Sequence, residues 1–531
     1  NLHAACIPYR TRGRALDLPS HPKRYDHAVV HLSNPGHSPG HSGNQATHMT
    51  DHTFSDTALR DFLADGYTLI GSDHAPEYHQ DMCERLDRLI EREGNPGNNV
   101  LPCVPQIQQV FEAPKVASAL TRILGPGYIM HPHRHCHHRP PGSKPQGWHK
   151  DDYVYDQNVR HHRGRWVMAF YYPQAVTADM GPTSIVPRQQ HHDTMAGSEA
   201  DPTLEMAITG TAGTVAIVNF DIWHRACANV SPHNRYMLKF QFLRMDEPAA
   251  SPAPTSSPDA VEWGATDHTA RHQWNWLHGN SNDDSDGPGS LDSGHSHGAD
   301  DDMAMAIATL RSDSDPARLQ ATYALARMGA RVVPTLVDAL RDEAEEQAEA
   351  KTAKCPANPA GGNPADLATA HALAALGPPA IDALVNLTGD DHWAVRATAV
   401  DVLGTIGKPA RVAVDAIRHS LQDDNLWVRR NAAEALGTLN DVSGTDDLTK
   451  VLADEDWRVR LNAVGTLARI GPQAAPSTAA VSSLLDDENR YVQANALQAL
   501  RRFDTSEATD ALMSHLMSAR WCAVTSKDNP Y

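Results

Sequence analysis

From about residue 303 to residue 531 one unit recurs, and that recurrence restricts the fold more than any other feature of the chain. Aligning Arg318, Asp366, Arg396, Arg429, Arg460 and Gln493 puts Gly329, Gly377, Gly407, Asn440, Gly471 and Asp504 eleven positions later in each case. The last four anchors are 33, 31 and 33 residues apart. The first gap is longer because of a Glu/Ala/Pro-rich insertion at 342–364, which is expected to enlarge one loop. Between anchors, Ala and Leu return at helical spacing, as in Ala432, Ala433 and Leu436, and a second helix follows each Gly-type stop. A two-helix unit cannot bury its apolar face alone, but a stack of them can, so the pattern predicts an α-solenoid.

Variants of Asp-x-x-Trp-x-Val-Arg at Asp390–Arg396, Asp424–Arg429 and Asp454–Arg460 sharpen this reading. With them the array resembles HEAT repeats of the short kind named after phycobilisome lyases, in about six repeats. The expected roles are structural: Trp393, Trp427 and Trp457 pack between units, and Arg396, Arg429 and Arg460 pair with neighbouring Asp residues. An extended solenoid face would also suit a protein partner.

At 531 residues the chain exceeds what one core supports. Its formal charge of -19 argues against a nucleic-acid partner, which needs a basic field. Seven scattered cysteines, Cys6, Cys83, Cys103, Cys136, Cys227, Cys355 and Cys522, contain no CxxC pair and suit a reducing cytoplasm. No apolar run is long enough for a membrane span. Residues 1–48 are rich in His, Pro, Gly and Ser without period and read as a disordered or non-native extension, with Met49 the expected start. The expected organisation is 1–48 extension, 49–245 first domain, 246–302 linker with a Trp-rich island (Trp263, Trp274, Trp276), and 303–531 solenoid. Within the linker, 280–302 reads as flexible and acidic.

The first domain reads as helices at Ser55–Asp65, Tyr78–Glu93 and Ala113–Leu124. Short β-like runs follow at Tyr128–His133, Arg165–Tyr172, Thr183–Val186, Thr214–Asn219 and Tyr236–Leu243, bounded by turn residues. That order predicts an antiparallel sandwich or barrel.

Inside that region stands Trp148-His149-Lys150-Asp151, answered by Trp223-His224 and then Arg235. Two histidines and one carboxylate can hold one face of a six-coordinate ion and leave the other open, which suits non-haem Fe(II). An Arg beyond the distal His offers a forked cation for a carboxylate. H-x-D is weak evidence alone, since this sequence holds it three times. His79-Gln80-Asp81 falls on a predicted amphipathic helix and reads as solvated surface; His191-His192-Asp193 lies in a polar loop without a downstream partner. The run His131, His133, His135, His137, His138 raises a second metal, but strand alternation would turn only some of these inward.

The stretch from Phe62 to Leu243 resembles the phytanoyl-CoA dioxygenase family of Fe(II)/2-oxoglutarate oxygenases. The residues that carry the likeness are Leu124-Gly125-Pro126-Gly127-Tyr128, the H-x-D segment, Met180–Pro187, Ala212–Val215, Trp223-His224 and Asn234-Arg235. The resemblance implies a double-stranded β-helix, a jelly-roll of the cupin type, with flanking helices. It implies Fe(II) on His149, Asp151 and His224, and 2-oxoglutarate clamped by Arg235, with His135 and Phe170 lining the same pocket. It further implies use of O2, release of succinate and CO2, and hydroxylation of a small-molecule or acyl substrate. Halogenating relatives lack the carboxylate ligand; Asp151 therefore favours hydroxylation. One departure stands out: two residues after the distal His, where the family often has a hydroxyl, this chain has Ala226. The competing expectation is a non-catalytic scaffold in which the solenoid supplies the function and the oxygenase domain is degenerate.

Overall fold

The structure, a computed structural model, describes residues 53–151, 163–193, 204–248, 263–264, 267–279, 296–354 and 361–518. The expected extension 1–48, Cys6, Cys355, Cys522 and most of the 280–302 linker lie outside the described residues.

Eight strands build the first domain: β1 Tyr67–Gly71, β2 Ile129–Arg139, β3 Trp166–Tyr172, β4 Thr183–Ile185, β5 Met206–Ala207, β6 Thr214–Asn219, β7 His224–Ala226 and β8 Arg235–Leu243. They form two antiparallel sheets, ordered β1-β6-β3-β8-β2 and β5-β4-β7. The five expected runs are all strands; β1, β5 and β7 are additional. β5 and β7 span two and three residues, too few to display a period of two.

β3 and β8 are buried on both faces; β3 reads as a continuous apolar run, while β8 alternates apolar residues with Arg235, Lys239 and Gln241. One face of the large sheet (Val167, Ala169, Tyr171, Leu238, Phe240, Phe242) packs against the helices Asp56–Asp65, Pro76–Glu93 and Pro114–Leu124. The other face (Trp166, Met168, Phe170, Tyr172, Met237) belongs to an apolar cluster that runs on into the solenoid. The helix Pro76–Glu93 corrects one expectation. His79 is 2 % exposed, not solvated, and its Nδ1 meets the Tyr171 hydroxyl at 2.7 Å.

Among the described residues the solenoid has six helix pairs, whose first helices are Asp315–Arg327, Ala368–Leu376, Trp393–Ile406, Leu426–Thr438, Trp457–Ile470 and Arg490–Phe503. All six stop positions, Gly329, Gly377, Gly407, Asn440, Gly471 and Asp504, have positive φ. Only Gly, and next best Asn or Asp, enters that region cheaply, which explains the repeating residue type. An Arg–Asp ladder ties units together. Arg396, Arg429 and Arg460 donate through Nε to Asp423, Asp454 and Asp487 of the next unit at 2.7, 2.8 and 2.8 Å. Each of those carboxylates also accepts a backbone N–H, from Asn425, Asp456 and Asn489. Arg458 lies over both Trp427 and Trp457, at 5.4 and 5.1 Å, so one guanidinium links the two indoles across the unit boundary. The insertion at 342–364 does not only enlarge a loop. Its Glu/Ala-rich first part continues the helix Val333–Thr352, as strong helix formers should.

The solenoid is not a separate body on a tether. Its first helices lie against the first domain from the first repeat to the last. Arg318 pairs with Asp193 at 3.1 Å, Arg469 donates to the Met245 carbonyl at 3.1 Å, and the Tyr491 hydroxyl meets His133 Nδ1 at 2.9 Å. The Trp-rich island closes the seam. Trp274 is buried, and Trp276 is flanked by the guanidiniums of Arg163, Arg165 and Arg244 at 5.5, 5.6 and 5.0 Å.

His131 of β2 is buried at this seam, edge-on to Trp166 and stacked on Tyr491. Burial, then the neighbouring charges of His133 and Arg134, push its pKa down to about 3. The folded form therefore keeps it neutral while the unfolded chain protonates it near the ordinary value of about 6.5. Its contribution is complete above that pH and lost as pH falls below it. Between pH 7 and pH 5 the expected loss from this one group is about 2 kcal/mol. Urea unfolding of wild type and His131→Phe at both pH values checks this; equal slopes in the two proteins would count against it.

Candidate metal and co-substrate site

Although 75 residues separate His149 from His224, backbone pairing joins them. They form an antiparallel bridge, His149 N to His224 O at 3.1 Å and His224 N to His149 O at 3.0 Å, which leaves their rings 4.4 Å apart. Lys150, between the two H-x-D ligands, anchors the segment by a buried ion pair to Asp221 at 3.2 Å and a bond to the Gln190 carbonyl at 3.0 Å. Alternation then turns His149 and Asp151 to the side opposite Lys150.

The ligand atoms of His149, Asp151 and His224 lie within 4.8 Å of one another, and this is the only such group among the described residues. His224 Nε2 and Asp151 Oδ2 are 3.8 Å apart. Both imidazoles point Nδ1 at a backbone carbonyl, His149 to Gly147 at 3.0 Å and His224 to Ile222 at 3.0 Å. That orients the rings and leaves Nε2 of each as the free lone pair. Burial, only partly offset by Asp151, pushes His224 down to about 4, so it is neutral and able to ligate at neutral pH. Burial opposes the Asp151 charge, but Lys239 and His224 outweigh it and hold the carboxyl well below its usual range. The donor set, two imidazoles and one carboxylate, fits a divalent first-row ion.

Lys239 is the residue that sequence reasoning missed. It lies at the centre of β8, opposite Phe170 on β3 and His135 on β2, and its ammonium pairs with Asp151. A lysine inside the apolar run Tyr236–Leu243 was the available signal. Phe170 sits beside the triad, its ring 6.0 Å from His224. His135 is on the same sheet face, its ring 4.7 Å from His137, so it is near Lys239. His137 is the β2 imidazole that also feels Arg235. The row of β2 histidines forms no metal cluster among the described residues; burial lowers the pKa of His131, His133, His135 and His137.

Arg235, at the start of β8, is fully buried and donates through Nε and Nη2 to the Gly181 carbonyl, the Nε contact being 2.9 Å. Its Nη1 has no hydrogen-bond partner. The hydroxyls of Tyr172 and Thr183, which lie against each other beside this guanidinium, find no further partner. Buried donors left open around a cation make a cradle for a carboxylate. The third H-x-D is accounted for by Asp193, which pairs with Arg318 of the solenoid, and Trp223 Nε1 binds the His192 carbonyl.

In comparisons with known proteins, residues 62–237 match the family described as phytanoyl-CoA dioxygenase (PhyH). Four overlapping matches from 365 to 522 are to HEAT repeats, and 317–342 matches the PBS lyase HEAT-like repeat. No curated protein matches the sequence. Similar solved structures include the non-heme alpha ketoglutarate dependent carbocyclase SnoK from nogalamycin biosynthesis, 17 % identical, covering 36 % of this chain and 85 % of that one, TM-score 0.31. EctD from S. alaskensis with 2-oxoglutarate and 5-hydroxyectoine is 15 % identical and covers 37 % of this chain and 78 % of its own, TM-score 0.30. EvdO2 from Micromonospora carbonacea var. aurantiaca complexed with 2-oxoglutarate is 16 % identical, covering 40 % and 98 %, TM-score 0.30.

Proposed function

We propose, from a chain whose residues 62–237 form a PhyH-family domain ahead of HEAT repeats, an Fe(II)- and 2-oxoglutarate-dependent dioxygenase that hydroxylates an organic substrate. The single observation that carries this reading is the clustering of His149, Asp151 and His224, with both histidines oriented through Nδ1. Bound there, Fe(II) with 2-oxoglutarate and O2 supplies the oxidising chemistry, with succinate and CO2 as co-products.

The chain's own residues prepare that site. His149 and His224 offer their Nε2 atoms, and Asp151 brings the one negative charge. Lys239 engages Asp151 and so restrains which oxygen faces the metal position. Arg235 presents Nη1 for the co-substrate's far carboxylate, and its bonds to Gly181 keep the fork from turning away. Phe170, Met168 and Met237 give the interior an apolar wall, which excludes water.

The solenoid's part in this proposal is to complete the domain rather than to stand free. Its first helices are engaged by the chain's own oxygenase domain along the seam, so any protein partner would be met on surfaces outside that contact. No single helix among the described residues is long and apolar enough to cross a membrane.

The test is anaerobic addition of Fe(II) and 2-oxoglutarate, monitored by the visible metal-to-ligand charge-transfer band. Wild type is expected to show the band. Arg235→Ala is expected to need roughly 100-fold more 2-oxoglutarate, since a charged, bidentate partner is lost. Folded wild type that binds neither iron nor co-substrate would leave the scaffold reading in its place.

A further inference from the structure

Between the first domain, the Trp-rich island and the first repeat lies a cavity of about 440 Å³, and none of the triad residues lines it. Its walls come from the helix Asp56–Asp65, the loop after β4, and the starts of the helices His268–Leu277 and Asp315–Arg327. That volume suits a metabolite-sized molecule. The loop supplies polar groups. Gln190 is 2 % exposed; its amide nitrogen donates to the carbonyls of Leu63 and Ala64, each at 3.2 Å, while its Oε1 has no partner. His191 Nε2 and His192 Nδ1 have none either. Burial, then Lys150 and His192, push His191 down to about 3, so its ring is neutral. Three unsatisfied polar atoms on one loop of a cavity wall call for a partner. The backbone of the same loop holds both metal-ligand segments. The Gln190 carbonyl accepts Lys150 Nζ at 3.0 Å, between His149 and Asp151, and the His192 carbonyl accepts Trp223 Nε1 at 3.1 Å, next to His224.

We propose that this cavity binds a neutral small organic molecule, apolar in body and carrying N–H or O–H donors, and that its occupancy steadies the iron ligands through the loop 188–193. The effect on iron rests on the function proposed above, whereas the binding site stands without it. Leu63, Ala270, Ala317 and Leu319 give the cavity apolar surface. Gln190 Oε1 can only accept, which requires a donor on the ligand; the imidazole nitrogens accept or donate according to tautomer. The wall's own electrostatics disfavour a charged ligand. Its one guanidinium, Arg188, and its one carboxylate, Asp267, are paired with each other, and Arg188 also binds Asp65 at 3.0 Å. A charged group buried there would find no counter-ion. An occupant that engages the side chains of 190–192 restrains the peptide units whose carbonyls hold Lys150 and Trp223. By linkage, iron and occupant then tighten each other's binding.

The experiment titrates the full-length chain with three neutral probes, indole, 4-hydroxybenzamide and adenosine, by calorimetry, first without metal and then with Fe(II) under anaerobic conditions. At least one probe is expected to bind the metal-free wild type. Ala317→Trp fills the cavity from the solenoid side and is expected to weaken that probe about 30-fold or more. His191→Phe keeps the ring and removes its nitrogens, for an expected loss of about 10-fold. Circular dichroism checks that both variants are folded; should Ala317→Trp not fold, His191→Phe decides. The bound probe is expected to slow iron loss to a chelator about 5-fold. Binding of none of the probes would overturn the site, and so would binding that either folded variant leaves unchanged. Binding with iron loss unaltered would overturn the coupling alone. Wild type that holds no iron, yet binds a probe in a manner sensitive to Ala317 and His191, would overturn the dioxygenase reading and leave the site standing.

Discussion

Asp151→Gly is expected to lose tight iron binding, by roughly 100-fold or more, and with it all 2-oxoglutarate turnover. Two effects act together. The ion loses a ligand and the site's only negative charge among its three ligands. The Lys239 ammonium, paired with Asp151 in the intact protein, is left buried and uncompensated next to the metal position, where it repels a cation. Metal analysis after dialysis and loss of the charge-transfer band would record the effect. Because a lone buried cation also destabilises the fold, circular dichroism against wild type checks that the variant is folded. Full activity in a folded Asp151→Gly protein would remove the triad assignment altogether.

Glu247→Ala is expected to be the most destabilising single change at the domain seam, by about 3–5 kcal/mol. The Glu247 carboxylate is 10 % exposed and accepts Arg165 Nε at 2.7 Å and Trp276 Nε1 at 3.2 Å. Arg165, Arg244 and Arg469 all lie within its field. Without it several guanidiniums remain buried against one another, an arrangement water can relieve only if the seam opens. Burial opposes the Glu247 charge, yet Arg165, Arg469 and Arg244 outweigh that and lower its pKa. A carboxylate with a lowered folded pKa stabilises above its unfolded value, about 4.3, and the contribution fades as pH falls below that. The acid limb of the stability curve should therefore shift in the variant. Urea unfolding followed by tryptophan emission would detect the change, and a difference under about 1 kcal/mol would refute the stated role.

Much of the molecule was legible because its signals are local. A stop residue of positive φ and Ala/Leu spacing recur from unit to unit, so the solenoid announces itself. The longer strand β3 did likewise, since seven apolar residues between turns have few alternatives. β5 and β7 escaped because two or three residues hold no period, although β7 carries His224. His79 misled for a related reason: amphipathic spacing finds the apolar stripe but does not see that Tyr171, 92 residues away, waits for the imidazole.

What the sequence determined by itself is the inventory: a jelly-roll domain with two histidines, a carboxylate and an arginine in a metal-site pattern, and a stack of helical repeats. Each follows from residue type and short-range spacing, where backbone geometry alone sets which side chains share a face. The tertiary structure decided how those parts meet. It brought Lys239 to Asp151, set Thr183 beside Ala226, and laid the solenoid's first helices along the jelly-roll domain. Those contacts depend on strand register and on burying charge between distant segments. No local period encodes either, because the energy that selects them exists only once the segments are packed.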